Sequence, residues 1–173
     1  MRIIAGTYRG RVLYEPKFEG VRPTLGRIRE NLFNILYPRI QGARFLDAFA
    51  GTGVMGIEAE SRGATVTLAD ISKDALALIQ KNLSVVHSTA RLYRHGYEEA
   101  MRTGVYDIIY CDPPYHEDRV ENVLRLSDRA LAIDGIVIFE SDRELDTTNP
   151  LYEVYDRRHY GIAHLTFFRR KGV

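Results

Sequence analysis

The sequence contains a short segment whose residue types could hold and activate an amine. Residues Tyr110 to Tyr115 read YCDPPY and follow VYDII, an apolar and β-branched stretch that is typical of a strand. Two consecutive prolines donate no backbone hydrogen bonds and restrict φ, so they form a stiff turn. Such a turn would hold the Asp112 carboxylate, a proline carbonyl and the Tyr115 ring in one arrangement. That arrangement suits a flat ligand with N–H donors and a π-face.

The chemistry that fits this segment is group transfer to the exocyclic amine of an unpaired or flipped-out nucleobase. Such an amine is a poor nucleophile because its lone pair is delocalised into the ring. If the Asp112 carboxylate and the Pro113 carbonyl accept its two N–H bonds, the lone pair is oriented toward an electrophile. The nitrogen becomes cationic as it reacts, so the charge of Asp112 stabilises the transition state. Pro114 completes the turn, and Tyr115 would stack on the base, a contact worth about 1–3 kcal/mol.

A glycine loop upstream predicts a cofactor. Gly51, Gly53 and Gly56 match the pattern G-x-G-x-x-G between a strand and a helix, which leaves a dinucleotide or S-adenosylmethionine open. Asp47 favours S-adenosylmethionine, because a carboxylate four residues before the loop would repel a pyrophosphate but attract an ammonium and a sulfonium. Asp70 ends the next strand and could accept hydrogen bonds from both ribose hydroxyls.

A tight corner that needs glycine only for packing would explain the loop, but not two acids at the ends of adjacent strands. The predicted cofactor contacts are Asp47, Phe49, Ala50, Gly51, Thr52, Gly53, Asp70 and Ile71.

Composition places the chain among soluble globular proteins. It has 173 residues, of which 45% are hydrophobic and 27% charged. No apolar run reaches membrane-spanning length and the first residues are too polar for a signal peptide, so we expect a cytoplasmic protein. The single cysteine, Cys111, is predicted to be a small buried residue rather than a nucleophile. The five histidines show no metal-ligand spacing, so no metal site is predicted, and His116 is expected to be a loop residue.

Positive charge is concentrated at the N-terminus. Residues 1–39 carry eight Lys and Arg against three acids, a net charge of +5, whereas the rest of the chain carries −4. This asymmetry favours a polyanion-binding face that includes Arg2, Arg9 and Arg11. A solvated basic face is the alternative.

The elements that must position these residues alternate from residue 43 onward. Strand-like and helix-like segments follow each other and predict a parallel α/β sheet whose ligands lie beyond the carboxyl ends of the strands. The last two segments, LYEVYDRRHYG and IAHLTFFRR, predict an antiparallel pair. Before residue 43, MRIIAG and GRVLYEP predict a hairpin, and LGRIRENLFNILYPRI predicts a helix with Thr24 as its N-cap. We therefore expect an N-terminal extension, residues 1–40, packed on a main domain, residues 41–173.

Four segments together resemble one known family. RIIAGTYRGRVL, RPTLGRIRENLFNIL, LDAFAGTGVMGIEAESRGA and DIIYCDPPY are similar, in order and spacing, to the bacterial 16S ribosomal RNA guanine-N2 methyltransferases. The resemblance covers most of the chain. It is weakest after about residue 141. Many class I amino-methyltransferases share the last two segments, so the first two are the more specific ones.

The resemblance implies a class I S-adenosylmethionine-dependent methyltransferase fold with seven strands, mostly parallel, and an antiparallel last strand. It implies methylation of the exocyclic N2 of one guanine in 16S ribosomal RNA, on an assembled or partly assembled 30S subunit. The family's cofactor loop falls on Asp47 to Gly53, its ribose acid on Asp70 and its catalytic motif on Asp112 to Tyr115. Its stretch lining the active-site mouth is similar to the segment that contains Arg22, Thr24, Arg27, Arg29 and Glu30.

One position departs from the pattern of such enzymes. They often place an Asp after the third strand, near the adenine amino group, whereas this chain reads YRHGYEEA there. His95, Gly96 or Tyr97 would have to serve instead.

Three other functions stay open on the sequence. An amine methyltransferase with the same motif could act on DNA adenine N6 or on a protein glutamine, although 173 residues leave no room for a DNA-recognition domain. A nicotinamide-dependent oxidoreductase is built on a similar glycine loop, and Asp47 argues against it. A noncatalytic RNA-binding assembly factor would not need an intact Asp112.

Overall fold

One mixed sheet of seven strands organises the computed structural model of the chain, which describes residues 1–16, 26–114, 119–145 and 148–172. The strands are β1 (Arg44–Asp47), β2 (Thr65–Ala69), β3 (Arg91–Tyr93), β4 (Tyr106–Cys111), β5 (Leu131–Ser141), β6 (Tyr152–Tyr160) and β7 (Ala163–Arg170). The helices are α1 (Gly26–Leu36), α2 (Val54–Ser61), α3 (Lys73–Val86), α4 (Tyr97–Thr103) and α5 (Val120–Ala130). In the described ranges no helix combines the length and apolarity that crossing a membrane requires.

The strand order is β3-β2-β1-β4-β5-β7-β6. Strands β1 to β5 pair in parallel, and β7 runs antiparallel to both β5 and β6. The predicted class I α/β fold, with its antiparallel last strand, is confirmed. The order reverses between β1 and β4, which is the point where open α/β sheets bind their ligands.

Helices cover both faces of the sheet. Successive side chains of β4 point to opposite faces, and each face belongs to a different hydrophobic cluster. Ile108 and Tyr110 belong to the cluster formed with α1, α2 and α3. Ile109 and Cys111 belong to the cluster formed with α4 and α5. Cys111 is fully buried, and this burial raises the pKa of its thiol well above the usual value, which confirms the predicted packing role.

The structure fixes where some elements begin and which side chains they bury. Strand β5 begins at Leu131, directly after α5, because Leu131 pairs with Tyr106 of β4. In α1, Phe33 is fully buried, whereas Ile35 is 36% exposed. The predicted N-cap Thr24 lies outside the described residues.

The N-terminal segment forms the predicted hairpin, in which the two arms pair over only a short length. Its strands share one bridge, between Arg2 and Val12, while Ile3 N–H donates to the Arg11 carbonyl over 3.0 Å. The segment is bound to α2, since Thr7 N–H donates to the Ser61 carbonyl over 2.8 Å. Its buried apolar side chains belong to the same cluster as the sheet, so the hydrophobic core crosses the predicted boundary at residue 40.

Gly6 is expected to be essential for this docking. Its φ is +81°, and a Cβ there would lie 1.7 Å from the Ser61 carbonyl oxygen. Gly10 has nearly the same φ, +84°, but a Cβ there would meet no atom within 4 Å, so it is the matched control. Both Gly→Ala changes impose a left-handed conformation that costs about 1–2 kcal/mol. Gly6→Ala should lose about 1–3 kcal/mol more in denaturant unfolding, because the hairpin must move off α2. An equal loss in both variants would contradict the close contact.

Candidate cofactor and amine-binding site

Three acids lie where neighbouring parallel strands end at one edge of the sheet. Asp47 ends β1, Asp70 follows β2, and Asp112 follows β4. The register places Asp47 beside Leu68 on one side and Tyr110 on the other. Asp47 therefore lies between the other two strand ends, so the acids that the sequence separates by up to 65 positions are brought to one edge of the sheet.

Asp47 is buried, and only one of its two carboxylate oxygens has a hydrogen-bond partner among the described residues. Oδ2 accepts a hydrogen bond from Gly56 N–H over 3.0 Å. Oδ1 is buried and finds no hydrogen-bond partner in the described parts of the chain. Burial raises the pKa of Asp47 to about 7, an effect that the Gly56 hydrogen bond opposes and the charge of Asp70 reinforces. A ligand ammonium would satisfy this oxygen and stabilise its charge.

Asp70 is fixed by the backbone on both sides. Its Oδ2 accepts from Gly51 N–H and its Oδ1 from Ser72 N–H, each over 2.8 Å. A carboxylate oxygen has more than one lone pair, so both oxygens can also accept from ligand hydroxyls. The next residue, Ile71, exposes 73% of its surface, which is unusual for an isoleucine beside a sheet edge.

The glycine loop has the backbone shape that its glycines predict. Gly51 and Gly53 have φ values of +53° and +77°, and Gly53 N–H donates to the Ala50 carbonyl over 2.6 Å. The Thr52 side chain is buried and its Oγ1 accepts from Val54 N–H over 3.3 Å. Its predicted contact with the cofactor stays a prediction. Phe49 packs against Tyr97, with 4.9 Å between the ring centroids.

Asn82 supports the loop from α3, and the sequence prediction missed it. Its Nδ2 donates to the Thr52 carbonyl over 2.9 Å, and its Oδ1 accepts from Tyr14 N–H over 2.8 Å. The side chain is fully buried. Asn82 thus connects the N-terminal segment to the glycine loop. A polar residue in the middle of an amphipathic helix was the signal that could have indicated it.

The DPPY segment begins directly after β4. Asp112 and Pro113 are partly exposed and Pro114 is exposed at the sheet edge. Tyr115 and His116 lie outside the described residues, so their predicted roles stay predictions.

The candidates for the adenine contact separate clearly. Tyr97 is 3% exposed, and its hydroxyl accepts a hydrogen bond from Asn122 Nδ2 over 2.7 Å. Its side chain is therefore part of the core, and a contact with the adenine ring through the Tyr97 backbone stays a prediction. A Cβ on Gly96 would lie 3.1 Å from Ile71 Cγ2, so the Gly96 backbone adjoins the exposed Ile71 side chain. His95 is exposed beside them.

The predicted nucleic-acid contacts have three different outcomes. Arg2, Arg9, Arg11 and Arg27 are exposed, whereas Arg22 and Thr24 lie outside the described residues. Arg29 is 3% exposed, and its Nη2 donates to the Arg2 carbonyl over 2.6 Å.

Arg29 is therefore wrong as a predicted RNA contact, because it is part of a buried ionic group. Its Nε lies 3.5 Å from Glu58 Oε2, an ion-pair distance without hydrogen-bond geometry. Burial lowers the pKa of Arg29, and the Glu58 charge partly offsets that effect. Glu58 also accepts from Ile4 N–H and Ala5 N–H over 2.8 and 3.1 Å, so this buried group holds the hairpin on α2.

Strand order, glycine loop and acidic strand ends define a class I S-adenosylmethionine-dependent methyltransferase fold. The chain belongs to the family described as conserved hypothetical protein 95, whose model matches residues 1–169. It is 36% identical over 155 residues to ribosomal RNA small subunit methyltransferase D of Escherichia coli strain K12, covering 83% of this chain and 76% of that protein.

Two further comparisons extend along the whole chain. YlbH of Bacillus subtilis, a candidate rRNA methyltransferase, is 32% identical over 184 residues, covering 99% of this chain and all of that protein. The solved structure of yhhF from Escherichia coli, a candidate methyltransferase, superposes with a TM-score of 0.86 at 32% identity, covering 100% of this chain and 99% of the other. Fold and family together identify a methyltransferase.

Proposed function

We propose that this protein transfers a methyl group from S-adenosylmethionine to the exocyclic N2 of one guanine in 16S ribosomal RNA. The observation that carries the proposal is the convergence of Asp47, Asp70 and Asp112 at the carboxyl ends of three adjacent strands. When bound, S-adenosylmethionine supplies the methyl group as an electrophile. Named relatives of this chain methylate small-subunit ribosomal RNA, which supports RNA as the substrate and a cytoplasmic location.

The cofactor pocket of the proposal uses atoms with specific capacities. The Asp47 Oδ1 would accept from the ligand ammonium, and the Asp70 carboxylate would accept from the ribose hydroxyls. The exposed side chain of Ile71, beside the Gly96 backbone, offers an apolar surface on which an adenine ring could lie. A pyrophosphate would fit this arrangement poorly, since the buried Asp47 would repel it.

The chemical step depends on the residues after β4. Asp112 and the Pro113 carbonyl accept the two N–H bonds of the target amine and orient its lone pair. The negative charge of Asp112 stabilises the nitrogen as it becomes cationic, and the proton then leaves readily. The target guanine has to be unpaired or flipped out, because the edge of a stacked base could not reach the sheet edge.

The experiment that tests the function maps the modification. Ribosomal RNA from a strain lacking the gene should lose one N2-methylguanine, detected as a missing primer-extension stop, and the wild-type gene should restore it. Calorimetry should show binding of S-adenosylhomocysteine and no binding of NAD. An unchanged methylation pattern, or heat from NAD alone, would overturn the proposal.

Cofactor binding should strengthen as the pH rises through 7. The pKa of Asp47 is raised to about 7, so between about pH 4 and 7 the folded chain holds a proton that the unfolded chain has lost. The contribution of Asp47 to the stability of the ligand-free protein is present at low pH and lost as the pH rises through 7. Because the ligand ammonium pairs with ionised Asp47, affinity for S-adenosylhomocysteine should rise about tenfold between pH 6 and 8.

Asp47→Asn is the control for this pH dependence. It should bind more weakly at pH 8 and show a flat affinity profile over the same range in calorimetric titrations. Asp70 and Cys111 are the neighbouring titratable groups of Asp47, and the thiol stays neutral because its pKa is raised. A steep profile in Asp47→Asn would assign the titration to another group.

The exposed arginines of the hairpin are expected to contact RNA phosphates. Arg9→Gln with Arg11→Gln should weaken the binding of 30S subunits and reduce the slope of log affinity against log salt by about 0.7–0.9 for each lost phosphate contact. Affinity for S-adenosylhomocysteine should not change. Arg157→Gln with Arg158→Gln removes two exposed arginines of β6 that are held by Glu144 and Asp156. A larger loss in that pair would move the RNA-binding face to β6.

A further inference from the structure

Beside the DPPY segment, β5 carries a carboxylate that no sequence motif marks. Glu140 is 8% exposed and is the second-last residue of β5. The Tyr110 hydroxyl donates to Glu140 Oε2 over 2.5 Å. Tyr110 is fully buried, and its ring lies 6.5 Å from that of Phe45, so the donor is held by the core.

Strand register places Glu140 next to Asp112. In the parallel pair of β4 and β5, Cys111 lies opposite Phe139, so the following positions are Asp112 and Glu140. Adjacent strands are about 4.8 Å apart. Tyr110 lies opposite Ile138, and Glu140 is two residues further along, on the same face as Tyr110. Two carboxylates thus occupy neighbouring strand ends at the edge where the amine is expected.

The Watson–Crick edge of guanine presents a second donor next to its amine. Guanine has an N1–H beside its N2 amine, whereas the ring nitrogen at N1 of adenine carries a lone pair. A carboxylate accepts hydrogen bonds only, so it attracts the first and repels the second. Tyr110 holds one oxygen of Glu140, and a carboxylate has about four lone-pair sites in total.

We propose that Glu140 is a specificity-determining residue that accepts the N1–H of the target guanine while Asp112 and Pro113 hold its N2 amine. This inference rests on the proposed function and assigns the choice of base within that site. It also gives a physical reason why a DPPY segment, which suits any exocyclic amine, would reject adenine here. Tyr110 is a positioning residue whose hydroxyl holds one oxygen of the Glu140 carboxyl group.

The test changes the base at the target nucleotide and, separately, the proposed hydrogen-bond acceptor on the protein. Small subunits are assembled with 16S RNA that carries either guanine or 2-aminopurine at the mapped nucleotide. 2-Aminopurine keeps the amine but has a lone pair at N1 and lacks O6, so the effect of N1 is read from how Glu140→Gln changes the preference. Single-turnover methyl transfer by the wild-type protein should favour guanine by about 10- to 100-fold, as expected from a hydrogen bond to a charged group.

Glu140→Gln should reduce this preference to about threefold or less, because an amide can donate to N1 of 2-aminopurine as well as accept from guanine. Tyr110→Phe keeps the ring and should give an intermediate preference. Glu153→Gln is the matched control, since Glu153 of β6 forms an exposed ion pair with Arg169 of β7, and it should keep the wild-type preference. Calorimetry with S-adenosylhomocysteine verifies that each variant is folded.

The outcomes separate the two proposals. If the wild-type protein methylates no guanine N2 in subunits, the proposed function fails. If it methylates guanine N2 but turns over 2-aminopurine equally well, the Glu140 inference alone is overturned, whatever the folding of the variants. A folded Glu140→Gln that keeps the full preference for guanine would also overturn it.

Discussion

Asp112→Ala is expected to reduce single-turnover methyl transfer to 30S subunits by about 10²–10³-fold, the usual loss when one well-placed group at a developing charge is removed. The affinity for S-adenosylhomocysteine should stay within about threefold of wild type, because Asp70 and the glycine loop, not Asp112, hold the cofactor in the proposed site. Asp112→Asn should be milder, since its amide oxygen still accepts a hydrogen bond but carries no charge. The measurements are rapid-quench methyl transfer and calorimetry on the same preparations.

Asp107→Ala is the matched control on the same strand. Asp107 lies at the opposite end of β4 and forms a surface ion pair with Arg44 over 2.8 Å. Its loss should leave methyl transfer unchanged and cost at most about 1 kcal/mol of stability. Tyr115→Phe should be nearly silent and Tyr115→Ala should lose the stacking contribution if the ring only stacks. If Asp112→Ala transferred the methyl group at nearly the wild-type rate, the DPPY segment would be only a turn and would have no catalytic role.

Asp70→Ala is expected to weaken S-adenosylhomocysteine binding by at least about 10²-fold. Two hydrogen bonds to the ribose would be lost, and each hydrogen bond to a charged group contributes about 1.5–3 kcal/mol. The loop would also lose the acceptor of Gly51 N–H, which lies 2.8 Å from Asp70 Oδ2. Calorimetry gives the affinity, and saturation with cofactor should restore much of the methyl-transfer rate.

Asp74→Ala removes the same charge from an exposed position in the first turn of α3. It should leave cofactor affinity within about threefold of wild type, with a small loss of helix stability. An Asp70→Ala protein with wild-type affinity would show that another group binds the ribose. A low rate that saturating cofactor does not restore would mean that Asp70 also shapes the DPPY side of the site.

The sequence was sufficient to predict the features that depend on hydrophobic periodicity and on the alternation of strands and helices. Alternating strand and helix patterns predict a parallel sheet, and a parallel sheet brings the carboxyl ends of its strands to one edge. Acids at the carboxyl ends of these strands are brought to that edge, which is why Asp47, Asp70 and Asp112 could be selected from the sequence. The burial of Cys111 follows from the same logic, since an apolar strand leaves no room for a reactive thiol.

Tertiary contacts decided what each polar side chain does, because a residue's type does not show what faces it. Arg29 is positive and lies in a basic segment, but Glu58 and the Arg2 carbonyl turn it into a core residue. The side chains of Thr52 and Tyr97 are buried, because the first is hydrogen-bonded within its own loop and the second packs against Phe49. Asn82 and Glu140 were not predicted from the sequence, because their hydrogen-bond partners are distant along the chain. Thr52 and Tyr110 lie 30 residues from Asn82 and Glu140, respectively, and become their neighbours only when the sheet forms.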